Sequence, residues 1–165
     1  MPNSSANRGK KFEEMVEEAN EKYFQEGKAL IHKVPSEWLP LRNKEGKIKS
    51  AKITRKAAVD FMGVTPEGPL AFDAKSTKKE RWEFKNLAQE QLEFLLNHRR
   101  ICPTGRQFIL LAFMPLEVCY LIDIAFMKDR WEQWKQGGKA SFHCEDLKGS
   151  PCVALGPPPD YLKKL

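Results

Sequence analysis

Apolar positions along this chain fall into short periodic runs separated by turn residues. Between Asn7 and Gln25, the residues Phe12, Met15, Val16, Ala19 and Tyr23 recur at the steps of one helix face, and Gly27 supplies a stop. Ala29–Val34 reads as a short strand. Asn43–Gly46 is a turn signal between two stretches of alternating character, and residues 57–64 and 69–76 read as a hairpin around Thr65–Gly68. Asn86–Arg100 reads as a helix with Leu87, Leu92, Leu95 and Leu96 inward. Gln107–Met114 and Val118–Ile124 are strongly apolar strands meeting at Pro115. Ala125–Gln136 is a Trp-bearing helix stopped by Gly137-Gly138, and the closing PPPDYLKKL reads as irregular. Helix, strands, helix, strands, helix predicts an α/β (α+β) fold, one mixed sheet flanked by helices.

The hairpin places acids in the middle of apolar runs. With Pro66-Glu67 at the turn centre, Val64 faces Pro69, and Asp60 falls opposite Asp73 on one face of the pair. Val59, Phe61, Leu70 and Phe72 then form the other face, toward the core. Lys75 follows Asp73 by two and shares its face. Opposed like charges destabilise a strand pair; Lys75 would offset part of that cost and a divalent cation more. Two readings follow: a half-exposed hairpin with a surface Asp–Lys cluster, or a sheet presenting two carboxylates to Mg²⁺ and a lysine to a phosphate. Gln91 lies on the apolar stripe of its helix, as a satisfied buried amide or as part of a site. Glu13 flanks the buried face of the first helix, as a favourable acid of its first turn or as a further site acid.

Length, composition and charge narrow the class. The 165 residues suit a single domain, 1–165, and 41% hydrophobic with 30% charged residues is ordinary for a globular chain. No apolar run approaches the roughly 18 residues of a membrane span, and MPNSSANRGKK does not read as a signal peptide, so a cytoplasmic protein without membrane partners is expected. The net charge of +6 is concentrated between Leu41 and Lys56, where Arg42, Lys44, Lys47, Lys49, Lys52, Arg55 and Lys56 stand against Glu45 alone. That run fits a solvated face or a polyanion-binding one. Of four cysteines none forms a CxxC pair. His143, Cys144 and Cys152 cluster without the second close pair of a structural zinc site, so reduced, mostly buried thiols are expected.

The words NRGKKFEEMVEEANEKYF (7–24), ALIHKVPSEW (29–38), AVDFMGV (58–64) and FDAKST (72–77) carry a resemblance. Together they resemble the RecU family of Holliday-junction resolvases, nucleases of the PD-(D/E)xK pattern. The resemblance implies a restriction-endonuclease-like fold and a homodimeric, Mg²⁺-dependent endodeoxyribonuclease, with Mn²⁺ as a substitute, making symmetric nicks in branched, four-way DNA. It implies metal carboxylates at Asp60 and Asp73, a metal-associated Gln91, the first-helix acid at Glu13, and Lys75 acting on the phosphate or on the attacking water. It makes residues of about 36–56 a projecting basic stalk, with DNA contacts at Arg42, Lys44, Lys47, Lys49, Lys52, Arg55 and Lys56 and further contacts at Arg8 and Lys33. Residues of about 148–165 form an irregular C-terminal tail. Two positions depart from the family pattern: Asp73 stands where Glu is usual, and Ala58 where a Thr helps to bind metal. A restriction-type or repair endonuclease of the same fold, and a junction-binding protein without cleavage, remain as alternatives.

Overall fold

The structure, a computed structural model, describes the backbone of residues 5–165 and the side chains of residues 9–165. In chain order the main elements are α1 (Ser5–Gln25), β1 (Leu30–Lys33), β2 (Glu37–Arg42), β3 (Ile48–Arg55), β4 (Phe61–Thr65) and β5 (Gly68–Thr77). They continue with β6 (Arg81–Glu83), α2 (Gln89–Ile101), β7 (Arg106–Phe113), β8 (Val118–Asp123), α3 (Ile124–Lys135), β9 (Ser141–His143) and β10 (Cys152–Ala154). Six strands form one sheet in the order β1-β4-β5-β7-β8-β10. The β5–β7 pair is parallel and the others antiparallel, so the sheet is mixed. The expected α/β architecture is what the chain adopts.

The sheet is buried on both faces. Leu70, Phe72, Phe108 and Leu110 pack toward Phe12, Val16 and Tyr23 of α1. Ala71, Ile109 and Leu111 pack instead with Leu92 and Leu95 of α2 and Met127 of α3. Period-two alternation therefore sends the apolar residues in the middle of β5 and β7 alternately into one of two cores, which is why these strands read as nearly continuous apolar runs. The turn lies as expected: Val64 pairs with Pro69 and Phe61 with Phe72. At Gly63 the strand passes so close to β1 that an added Cβ would sit 2.2 Å from the Leu30 carbonyl oxygen, so only glycine fits.

Several expectations change. The acid-bearing face of the hairpin is not a half-exposed surface at Asp73, because α2 packs over it. Val59 packs into that second core and not beside Phe61. Strand β4 begins at Phe61, and residues 58–60 form a bend before it. Helix α2 begins at Gln89, leaving Leu87 buried just ahead of it. Strands β6, β9 and β10 have no counterpart among the expected elements.

The tail is the largest change. Beyond β10, Tyr161 is fully buried against Phe72 and Tyr23, at ring separations of 5.3 and 5.4 Å. Its hydroxyl donates to Asn20 Oδ1, while the Tyr23 hydroxyl donates to the Pro159 carbonyl at 3.2 Å. The tail thus closes the α1 side of the sheet. Tyr161→Ala is expected to cost about 3–5 kcal/mol, the range for emptying a large aromatic site. Urea unfolding followed by Trp fluorescence checks this; an unchanged midpoint would mean the tail is only appended.

Candidate active site

Strand β5 carries the acid and the lysine into the interface beneath α2. Asp73 is fully buried, and Lys75, two residues on and on the same face, retains 19% side-chain exposure. Asp60 enters from the bend before β4. Its Oδ2 accepts the Ala74 backbone N–H at 2.9 Å, and its carbonyl accepts the Val34 N–H at 2.8 Å. The two carboxyls are thereby fixed by the same hairpin register that pairs Phe61 with Phe72.

Gln91 comes down from the first turn of α2. Its amide nitrogen donates to Asp73 Oδ1 at 2.6 Å, and its Oε1 accepts from Lys75 Nζ at 3.1 Å and from the Ala88 N–H at 3.2 Å. The side chain therefore caps its own helix while clamping Asp73 and Lys75 together. In this arrangement Gln91 positions the acid, with its oxygen already engaged. Asp73 Oδ2 lies 2.6 Å from Lys75 Nζ, within ion-pair range but without the alignment of a hydrogen bond, and has no other partner.

Burial raises the pKa of both acids. Asp60 is pushed up to about 7, first by desolvation and then by the charge of Asp73, against the pull of Lys75 and the Ala74 N–H. Asp73 is also raised by burial, with Lys75 opposing. Without a cation the pair therefore retains a proton near neutrality and behaves as one titrating unit.

A cleft of about 480 Å³ opens onto this centre, lined by Glu13, Asp60, Lys75, Lys78, Lys79, Arg81 and Glu83 among others. Glu13 reaches the cleft but lies in the third turn of α1, not the first. Its carboxylate is held by Lys33 Nζ at 2.9 Å, and Lys33 also pairs with Glu17 at 2.7 Å. Glu13 does not close with Asp60 and Asp73 into a tight three-acid cluster among the described residues. The Lys33 ammonium is occupied by these two carboxylates, so a phosphate would have to compete for it. Sequence reasoning misses Lys78, Lys79 and Arg81, for which the run STKKER directly after Lys75 is the available signal.

Of the other expected DNA contacts, Arg8's side chain lies outside the described residues. Arg42, Lys44, Lys47, Lys49, Lys52, Arg55 and Lys56 all sit on or beside the β2–β3 hairpin, every residue of which is exposed. That hairpin pairs only within itself. Asn43 Oδ1 accepts the N–H groups of Glu45 and Lys47 across its tip, and Gly46 takes a positive φ of 81° there.

The family model described as Recombination protein U matches residues 7–163, nearly the whole chain. The chain belongs to the RecU family. The matched RecU span takes in Glu13, Asp60, Asp73, Lys75, Gln91 and the whole exposed hairpin. Among similar proteins, the Holliday junction resolvase RecU of Geobacillus sp. (strain WCH70) is 32% identical over 168 residues, 94% of this chain and 81% of that protein. The Holliday junction resolvase RecU of Lactobacillus delbrueckii subsp. bulgaricus is 29% identical over 157 residues, 89% and 72% of the respective lengths. The solved structure of Hjc, a Holliday junction resolvase from Archaeoglobus fulgidus, aligns with 67% of this chain and 77% of its own, at 12% identity and a TM-score of 0.42, a likeness too loose to weigh.

The raised Asp60 value fixes a pH dependence. The folded carboxyl pair holds a proton that the unfolded chain has already lost over about pH 4 to 7, so folding stability falls as pH rises through that window. A divalent cation held by the acids would offset this cost. The rise in melting temperature on adding Mg²⁺ is therefore expected to be larger at pH 8 than at pH 6, and abolished in Asp73→Asn. Differential scanning calorimetry checks this; a Mg²⁺ effect independent of both pH and Asp73 would place the cation elsewhere.

Proposed function

We propose that this chain is a divalent-cation-dependent endonuclease that resolves four-way DNA junctions, using Mg²⁺ or, in its place, Mn²⁺. The observation that carries the reading is the half-buried Asp60 beside the buried Asp73, the latter clamped by Lys75 and Gln91, at the foot of a cleft lined by Lys78, Lys79 and Arg81. The donor set suits a hard cation, since it consists of carboxylate oxygens, among them Asp73 Oδ2, which accepts no hydrogen bond and faces the Lys75 ammonium. Asp60 and Asp73 would hold the ion, with Glu13 at the edge of the cleft. When bound, it supplies Lewis-acid stabilisation of the phosphate and activates water.

The chain's own residues do the rest. The Lys75 ammonium, now against Asp73 and Gln91, is the cation placed to neutralise charge growing on the scissile phosphate. Gln91 keeps Asp73 oriented while Lys75 is drawn toward the substrate. Lys78, Lys79 and Arg81 take the flanking phosphates, which fixes the strand across the cleft. Inside a cleft that limits water, these charges act more strongly than at an open surface.

The exposed hairpin favours a branched substrate. Its basic side chains stand clear of the sheet, where they can enter the open centre of a junction, a space that linear duplex lacks. We assign the protein to a two-fold dimer making symmetric nicks. The exposed Trp38, Leu39, Leu41, Ile48 and Ile53 on the same hairpin support a surface that is covered in the working assembly.

A labelled four-way junction and a linear duplex, each with and without Mg²⁺, test the reading. Cleavage of the junction alone is expected. Asp73→Asn should abolish cutting and leave junction binding intact or tighter, because it removes repulsion between carboxylate and phosphate. Cutting by that variant at the parent rate would remove Asp73 from the chemistry. Neutralising Lys47, Lys49 and Lys52 together should weaken junction binding and flatten its salt dependence, by about 0.9 in slope for each phosphate no longer neutralised, with duplex binding little changed. An equal weakening on both substrates would make the hairpin a general electrostatic surface.

A further inference from the structure

A second set of metal-binding side chains gathers at the β6–β9 ribbon. We propose that Glu80, His143 and Cys144 bind a thiophilic divalent metal of the zinc class. Among the described residues they are the one group of three His, Cys, Asp or Glu side chains whose ligand atoms all lie within 4.8 Å of one another. Cys144 Sγ is 3.5 Å from His143 Nδ1, while Glu80 Oε2 is 3.7 Å from the other ring nitrogen, Nε2, so the exposed Glu80 side chain has to turn toward the Nδ1 side to share one metal with the thiol. Zinc–sulfur and zinc–nitrogen bonds of about 2.3 and 2.0 Å at a tetrahedral angle place the two ligand atoms about 3.5 Å apart. The sulfur–imidazole pair already has that spacing.

The scaffold holds the backbones of the three residues side by side before any metal arrives. Arg81 pairs with His143 in the β6–β9 ladder, and the Cys144 N–H donates to the Glu80 carbonyl at 3.0 Å. His143 Nδ1 accepts a long hydrogen bond from the Glu145 N–H at 3.3 Å and faces the Cys144 thiol, and a metal bond would replace both contacts. The Cys144 thiol loses its proton to solvent as the sulfur–metal bond forms, the imidazole binds neutral, and the carboxylate binds through oxygen. Thiolate and carboxylate together balance the two positive charges, no oxidation state changes, and the fourth position is left to solvent.

The donors are sulfur, nitrogen and oxygen, whereas the Asp60–Asp73 site offers oxygen, so the two sites select different ions. Cys152, close to His143 and Cys144 in the sequence, lies on β10 opposite Tyr120 and is not in the group, which Glu80 completes instead. Glu80 directly follows Lys78 and Lys79 and precedes Arg81, the cations that line the cleft. A metal here ties that wall of the cleft to β9.

The test is titration of the full chain with Co²⁺, in excess Mg²⁺ to fill the acidic site. A sulfur-to-cobalt charge-transfer band in the near ultraviolet should saturate at one equivalent and be displaced by Zn²⁺. Asp73→Asn should keep the band and Cys144→Ser should lose it. Glu80→Gln alters an exposed side chain and leaves the fold intact, and it should weaken Zn²⁺ binding by about tenfold or more, as loss of supporting ligand interactions does elsewhere. No band at one equivalent, a band that survives Cys144→Ser, or Zn²⁺ affinity unchanged by Glu80→Gln would each overturn the proposal. None of these readouts involves DNA cleavage, so the outcome is independent of the nuclease reading.

Discussion

The burial of two carboxyl groups beside the central strand is the constraint around which the molecule is arranged. An uncompensated buried charge costs several kcal/mol, whereas a hydrogen bond returns about 1 kcal/mol net. The hydrogen bonds from Gln91 and the Ala74 N–H cannot carry Asp60 and Asp73 alone. A positive charge is required, and Lys75 supplies one of the two needed for full compensation. Desolvation, with the charge of Asp73 second, lifts Asp60 to about 7, a standing demand for a proton or a cation. A packed core that needed only stability would have a leucine or valine there.

The rest of the architecture serves that centre. The two-residue turn at Pro66-Glu67 sets the register that brings Asp60 to Asp73, and α2 starts where it does because Gln91 closes its first turn on the same acid. One side chain thus joins helix initiation to site geometry. The α1 face of the sheet is filled by aromatic rings, with Phe61, Phe72 and Phe108 stacked at 5.1 and 4.7 Å, which leaves the backbone beneath the acids little room to shift.

Much of this is legible in the sequence, for identifiable reasons. The Asp60, Asp73 and Lys75 triad follows from strand alternation and a tight turn, both local rules. The double burial of β5 escapes a reading by alternation, although Leu70, Ala71 and Phe72 in succession are apolar on both faces of a strand. Strands β6, β9 and β10 have three residues each, too few to establish a period. Tyr161 is hidden in a proline- and lysine-rich end, and its place in the core is set by Asn20 and Tyr23, distant in sequence. Gln91 stands out as an amide on an apolar stripe, but only the structure shows that its nitrogen, and not its oxygen, meets Asp73. Glu80 and His143 meet through strand pairing alone, which no spacing rule anticipates.

The β2–β3 hairpin leaves the sheet after Val34 and returns at Ala57, whose N–H donates to Ser36 Oγ at 3.2 Å across the neck. The Val34 N–H is itself bonded to the Asp60 carbonyl. Asp60 follows Lys56, at the foot of the hairpin, by only four positions, and at full extension four residues span about 14 Å. The covalent chain is therefore a ruler. Whatever the foot of the arm touches lies within a short, bounded distance of the acid.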